Sequence, residues 1–215
     1  MRRLLLALLL LVAVPAAAAP DMARQIEAQR QADINQRIAA RLDILTGDPG
    51  APVIGNPKAQ ITIVEFFDYT CSYCKAVEPR LEALVNRDHR VRLVLKEFPI
   101  LAPVSLVASR AALAAARQGK YRAFHNVMMR YEGLLTQMDV MEMAKASGVD
   151  VARMRRDMDA AKVSDQIISV FNQARGIQVF QTPAFIVAGP RGAHILNSES
   201  AAIDFGREAA AMRGK

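Results

Sequence analysis

Cysteine is scarce in this 215-residue sequence: there are two, three positions apart, at Cys71 and Cys74. A secreted protein stapled by disulfides spreads several cysteines along its chain. A pair this close can only close a loop of a few residues, so it asks for a chemical explanation. Histidine is nearly as sparse, and His89, His125 and His194 lie far apart. A structural zinc site draws on four ligands, which leaves half of a metal site as the weaker reading of the pair. No glycine-rich phosphate loop, paired-carboxylate motif or Ser/His/Asp order is present, so nucleotide and hydrolase chemistries lack their residues. The net charge is +7, yet the basic residues are scattered through amphipathic segments without a dense Lys/Arg block. They read as a solvated surface, with no nucleic-acid partner. Beyond the first twenty residues no segment is apolar enough to span a membrane, and there are no repeats.

What is present begins with Arg2 and Arg3, an apolar run from Leu4 to Val14, Pro15 and the small residues Ala16 to Ala19. This order describes a secretory signal peptide over residues 1–19. The apolar run is short of the about 20 residues a spanning helix needs. Residues 20–46 read as an N-terminal helical extension, since Ile34, Ile38, Leu42 and Leu45 keep helical spacing. Docking of that stripe on its own domain and self-association into a homo-oligomer through residues 21–46 both fit. Residues 47–59 are dense in turn formers and read as a linker.

Ile61 to Phe67 is β-branched and aromatic, the pattern of a buried strand. A helix from Cys71 to about Asn86 and a strand from Val91 to Phe98 complete a βαβ unit, with the cysteines where strand feeds helix. Residues 101–176 turn helical, in segments stopped by Gly119, Gly133, Gly148 and Gly176. A hairpin, Ala184–Ala188 and Ala193–Leu196, precedes a final helix from about Glu199 to Met212, capped near Ser198. The expected architecture is α/β: residues 47–100 and 177–215 form one domain, interrupted by an all-helical block over 101–176.

The pair's position carries its chemistry. Thiolate is the species that attacks a disulfide, and an ordinary thiol supplies little of it at neutral pH. Unpaired N–H groups and the positive end of the dipole at a helix N-terminus favour the anion. Cys71 is therefore read as the exposed nucleophile, and Cys74, one turn further in, as the resolving thiol. Ser72 and Tyr73 between them tune the redox poise, and neither is a cation that would stabilise the anion further.

The run Val64-Glu65-Phe66-Phe67-Asp68-Tyr69-Thr70-Cys71-Ser72-Tyr73-Cys74-Lys75 resembles the active-site strand and helix of the DsbA family, periplasmic thioredoxin-fold proteins with a helical insertion between βαβ and ββα. The likeness covers roughly residues 50–213. It is nearest to the DsbA-like proteins that include the suppressor-of-copper-sensitivity C group, some of which oligomerise through an N-terminal extension and isomerise disulfides. The resemblance implies a cis proline at Pro183, with Thr182 docking an extended substrate. It places a buried acid at Glu65, able to relay a proton to Cys74. Lys96 on the next strand is expected to pair with Glu65 and tune the site; Lys96 and Glu78 read equally well as solvated charges. His125, among Phe124, Val127 and Met128, reads as a packed histidine, and the methionines of the helical block read as core filling.

The resulting expectation is a periplasmic disulfide oxidoreductase or isomerase with no cofactor beyond its dithiol and no metal. Its partners are unfolded or misfolded exported proteins and a membrane redox protein that resets the dithiol. A monomeric oxidase is the second reading. A copper-tolerance protein holding Cu(I) through the same thiols is the third.

Overall fold

A computed structural model describes residues 19–196 and 202–214. Ala19 apart, the signal-peptide stretch lies outside them. The chain divides into two units, one ending at Asp33 and one beginning at Ile34. In the first, helix α1 (Ala19–Ala39) starts, and its side chains from Asp21 to Arg30 are exposed.

In the second unit, α1 stops at Ala39 and α2 (Leu42–Gly47) follows, so the stripe expected on one helix is shared by two. Ile34, Ile38 and Leu45 are buried with Val64, Phe66, Val94, Val170 and Ala174. The stripe therefore docks on its own domain.

The central sheet has the order β1-β3-β2-β4-β5. Strand β2 (Ile61–Phe67) runs parallel to β3 (Val91–Glu97) and antiparallel to β4 (Ala184–Gly189). The hairpin closes with β5 (Gly192–Ile195). Every residue of β2 is buried, as its unbroken apolar run requires of a strand covered on both faces. Alternation divides its side chains: Ile61, Ile63 and Phe67 enter the larger cluster under α3 (Ser72–Arg87), while Val64 and Phe66 enter the other. The turn-rich stretch read as a linker holds a further edge strand, β1 (Val53–Gly55), antiparallel to β3. Gly55 has φ +98°, and a Cβ there would stand 3.0 Å from the Val91 carbonyl oxygen, so glycine is required.

Between β3 and β4 lie α4 (Pro103–Ala116), α5 (Tyr121–Arg130), α6 (Gln137–Ala146), α7 (Val151–Met158) and α8 (Ala161–Gly176). Pro103 opens α4 and a Thr136/Asp139 capping box opens α6. One continuous apolar cluster runs from the sheet through α3 into this block, joining Phe67 and Leu81 to Phe124, Met128 and Met154. The last helix, α9 (Phe205–Ala211), is capped by Asp204. It starts later than the sequence suggested, and Ser198 and Glu199 lie outside the described residues.

Candidate active site

Cys71 is the N-cap of α3, and its Sγ accepts the amide of Cys74 at 3.1 Å. The backbone turn that delivers it is fixed by Asp68, whose carbonyl accepts the Cys71 amide at 3.0 Å. The buried Asp68 carboxylate accepts four more hydrogen bonds, from the Thr70 amide and hydroxyl and from the amides of Ile100 and Leu101. One side chain thus ties the turn before the cysteines to the loop after β3.

Cys71 was expected to be exposed, and it is not: its exposure is 3% and that of Cys74 is 0%. The half-buried segment Thr182-Pro183, joined by a cis peptide bond, lies before β4. The Thr182 hydroxyl, which lacks a partner of good hydrogen-bond geometry, interacts with the Cys71 sulfur. Ser72 and Tyr73 between the sulfurs are exposed, Tyr73 by 67%.

The two thiols are driven apart. The hydrogen bond from Cys74 lowers the Cys71 thiol to about 6 against the opposing effect of burial, with help from Thr182 and the amides of Cys74 and Tyr73. Burial pushes Cys74 well above the thiol range, and its bond to Cys71 and the charge of Glu65 add to this. At neutral pH Cys71 is largely a thiolate and Cys74 holds its proton.

Beneath the thiols lies a buried acidic group. Glu65 on β2 is fully buried, and neither of its oxygens has a hydrogen-bond partner among the described residues. Burial, then the charges of Glu78, Cys71 and Glu97, push its carboxyl well up. Lys96 does not pair with it. In the parallel register Glu65 stands opposite Leu95, and Lys96 opposite Phe66. The pleat therefore sends Glu65 toward α3 and Lys96 to the other face. There Lys96 Nζ binds Asp48 Oδ2 at 2.9 Å and the Ile44 carbonyl at 3.3 Å. Gln166 and Gln173 also donate to that Asp48 oxygen. Lys96 holds α2 and α8 to the sheet rather than tuning the cysteines.

Glu78 faces inward from α3 and is 5% exposed. Its Oε1 lies 3.3 Å from Nε2 of His125, which is fully buried on α5. His125 is packed, as its neighbours suggested, stacking on Tyr121 and meeting Phe67 edge-on. Nδ1 of the ring is 3.0 Å from the Tyr69 hydroxyl. Both Tyr69 and Tyr121 donate to Glu97 Oε1, at 3.1 and 2.8 Å. Burial raises Glu97 to about 8, against the pull of these hydrogen bonds. Sequence reasoning gave no role to Asp68, Tyr69, Glu97 or Tyr121. One signal was present: Tyr121 and His125 are four apart, on one face of a helix.

A cavity of about 950 Å³ adjoins the site, lined among others by Thr70, Ser72, Lys75, Glu78 and Tyr131. Among the described residues no group of three or more His, Cys, Asp or Glu side chains is placed to hold a metal ion. Of the helical-block methionines, Met128, Met129, Met141, Met143 and Met154 are buried in the core, while Met138 is 74% exposed. No helix among the described residues is long and apolar enough to cross a membrane.

Residues 48–203 match the family model described as Thioredoxin. A solved thioredoxin-like oxidoreductase from Silicibacter pomeroyi DSS-3 is 38% identical, with a TM-score of 0.71 over 80% of this chain and 98% of that one. A putative protein-disulfide oxidoreductase of Rickettsia felis is 25% identical over 73% of this chain and 60% of its own length. A Na(+)/H(+) antiporter NhaA 1 of Salinispora arenicola is 29% identical over 73% of this chain. The chain spans only 25% of that antiporter's length. With residues 48–203 on that model, Cys71 at a helix N-terminus and a buried Cys74 behind it, the chain belongs to the thioredoxin family.

Proposed function

We propose that the chain exchanges disulfides with exported proteins in the periplasm, acting as an isomerase or reductase of misfolded ones. The observation that carries this reading is the geometry of the pair: Cys71 caps α3 with its Sγ accepting the Cys74 amide at 3.1 Å, and Cys74 is fully buried behind it. The Cys71 thiolate attacks a substrate disulfide. One substrate sulfur leaves as a thiolate and the other forms a mixed disulfide with Cys71. Cys74 then loses its proton and attacks Cys71 Sγ. The second substrate sulfur leaves, and the Cys71–Cys74 disulfide remains.

Thr182, beside the cis bond, offers its backbone to an extended substrate chain as an added strand. The dithiol is itself the redox group and needs no further cofactor. A membrane redox partner returns two electrons and two protons to the disulfide after each reductive turnover. Isomerisation ends differently: the substrate's own thiol resolves the mixed disulfide and Cys71 is regenerated. The signal-peptide pattern at Arg2–Ala19 supports export. A threonine before the proline favours isomerisation by resemblance.

Reactivation of a scrambled-disulfide protein tests the reading, with Cys71→Ser and Cys74→Ser as controls. Recovery that needs Cys71 is expected. Absence of recovery alongside rapid oxidation of a reduced substrate would make the protein an oxidase. Absence of both activities would remove the enzymatic reading.

A further inference from the structure

The cavity of about 950 Å³ beside α3 has no part in thiol exchange as described above, yet it begins next to the nucleophile. Thr70 and Ser72, the residues on either side of Cys71, both line it. One wall is α3 itself. Ser72, Lys75, Pro79, Glu82 and Asn86 succeed one another there at steps of three and four, a single stripe along a helix. At 1.5 Å per residue that stripe runs for about 21 Å. The facing wall comes from Asn126, Met129 and Arg130 on α5 and from the turn Tyr131-Glu132-Gly133 after it. The shape is a groove with room for about six residues of extended chain. Thr182 and Pro183 are not among its lining residues.

The lining holds acceptors that lack donors. Glu78 is 5% exposed, and neither of its oxygens has a hydrogen-bond partner among the described residues. His125 Nε2 stands 3.3 Å from Oε1 without hydrogen-bond geometry. Oδ1 of Asn126 is buried and likewise without a donor. Pro79, inside α3, has no N–H to give, so the Lys75 carbonyl loses its helical donor. Glu132 adds an exposed carboxylate whose charge acts on Lys75. Buried polar groups are ordinarily satisfied, and a group of exceptions along one groove points to a missing partner.

The donors of the groove are already engaged. Lys75 Nζ donates to the Tyr131 carbonyl at 2.6 Å and lies over the Tyr131 ring. Asn126 Nδ2 and Arg130 Nη2 both donate to Glu82, at 2.8 and 3.2 Å. Between the polar groups the surface is apolar, from Ala76, Pro79, Ala83 and Met129. A hydrocarbon stem that ends in a cationic donor matches both features, and among protein side chains that describes lysine and arginine.

We propose that the groove along α3 is a subsite for the polypeptide whose disulfide Cys71 attacks, and that it holds a lysine or arginine side chain close to the reacting cysteine. The inference rests on the dithiol chemistry proposed above and adds a preference among its substrates. The substrate chain is anchored at Cys71; on one side of its cysteine it runs beside Thr182, and on the other it enters the groove past Ser72. Glu78 lies about 9 Å along α3 from Ser72, the span of about three extended residues. A basic residue at that distance lays its stem on Ala76 and Pro79. Its cation meets Glu132 at the rim and the field of Glu78 and Asn126 Oδ1 at the wall. Chains without such a residue still react at Cys71, and more slowly.

Synthetic peptides test the subsite on the whole reduced protein. Each carries one cysteine as a mixed disulfide with thionitrobenzoate, whose release on attack by Cys71 is followed by stopped flow. Lysine is placed three residues from the cysteine, on either side, and compared with norleucine there and with lysine beyond the groove's length. The near lysine, on one side of the cysteine, is expected to react about fivefold faster than both controls at low salt. That ratio should fall toward one in Glu132→Gln and in Glu78→Gln. Equal rates for all peptides, or a lysine preference that ignores position or survives both variants, would overturn the subsite. Should Glu78→Gln fail to fold, Glu132→Gln, at an exposed position, decides. Serine analogues of the peptides, bound to the Cys71→Ser protein, report the groove without thiol chemistry, and the same ratio is expected in their affinities. Equal affinities would overturn the groove. If that affinity ratio holds while no peptide releases thionitrobenzoate, the groove stands and the dithiol chemistry fails.

Discussion

Glu65 and Lys96 stand on neighbouring strands yet face opposite sides of the sheet. Glu65 turns toward α3 and Cys74, and Lys96 turns toward Asp48 at 2.9 Å. The cationic neighbour that would have kept Glu65 ionised serves the fold instead. Among the described residues Glu65 is left as an unpartnered buried acid, a state that costs stability and that, in the dithiol chemistry proposed above, would serve as a proton donor and acceptor for the resolving thiol.

Lys96→Met is therefore expected to act on stability and not on the cysteines. It strips a cation from a buried carboxylate, a loss of about 3 kcal/mol in urea unfolding. The ultraviolet titration of the Cys71 thiolate should remain where it is. A shift of that titration would return Lys96 to the active site.

Glu65→Leu should separate stability from activity in the opposite sense. Replacing an unpartnered buried carboxyl by a similar apolar volume is expected to stabilise the fold by about 1–3 kcal/mol. The attack of Cys74 on the mixed disulfide should slow by roughly a hundredfold, with the Cys71 attack little changed. Thermal unfolding and two-phase thiol kinetics check the two halves. A destabilised variant with normal kinetics would contradict both.

Asp68→Ala should loosen the turn before the cysteines and the loop after β3 together, since one carboxylate accepts from both. Four hydrogen bonds lose their acceptor, and a loss of roughly 2–4 kcal/mol is expected. The Cys71 attack rate should fall with it. Normal reactivity in a folded variant would deny Asp68 its positioning role.

How far the site could be read in advance followed from how local its causes are. The βα unit bearing the cysteines was plain because Ile61 to Phe67 is an unbroken apolar strand and Cys71 stands where a helix must begin. Strand β1 escaped notice because three residues, Val53 to Gly55, lie in a tract of turn formers. The Lys96 pairing was misassigned because alternation along a strand is visible in a sequence, whereas the register between strands is not. Glu97 was passed over for the same reason: only in the parallel register does it share a face with Glu65. His125 looked like a packed histidine and is one; its contacts with Glu78 and Tyr69 join residues 47 and 56 positions apart, a proximity that no local pattern encodes.

The pH dependence of folding should differ between the two redox states. In the reduced protein Cys71 has its pKa lowered from 9.0 to about 6. Between those values the unfolded chain binds the extra proton, so stability rises with pH there. The contribution is fully present above about 9 and is lost as pH falls through about 6. The oxidised protein has no thiol to titrate, while the buried carboxyls of Glu65 and Glu97 act in both states. Unfolding temperatures of the two forms should diverge between pH 6 and 9 in favour of the reduced one. Parallel curves would contradict the lowered thiol.

The most direct test is alkylation of the reduced protein across pH, with the modified cysteine identified by peptide mass. The account predicts that Cys71 reacts with a midpoint of about 6 and that Cys74 stays unmodified in the folded protein. A midpoint near the ordinary thiol value, or modification falling first on Cys74, would contradict the assignment of Cys71 as nucleophile and Cys74 as resolving thiol.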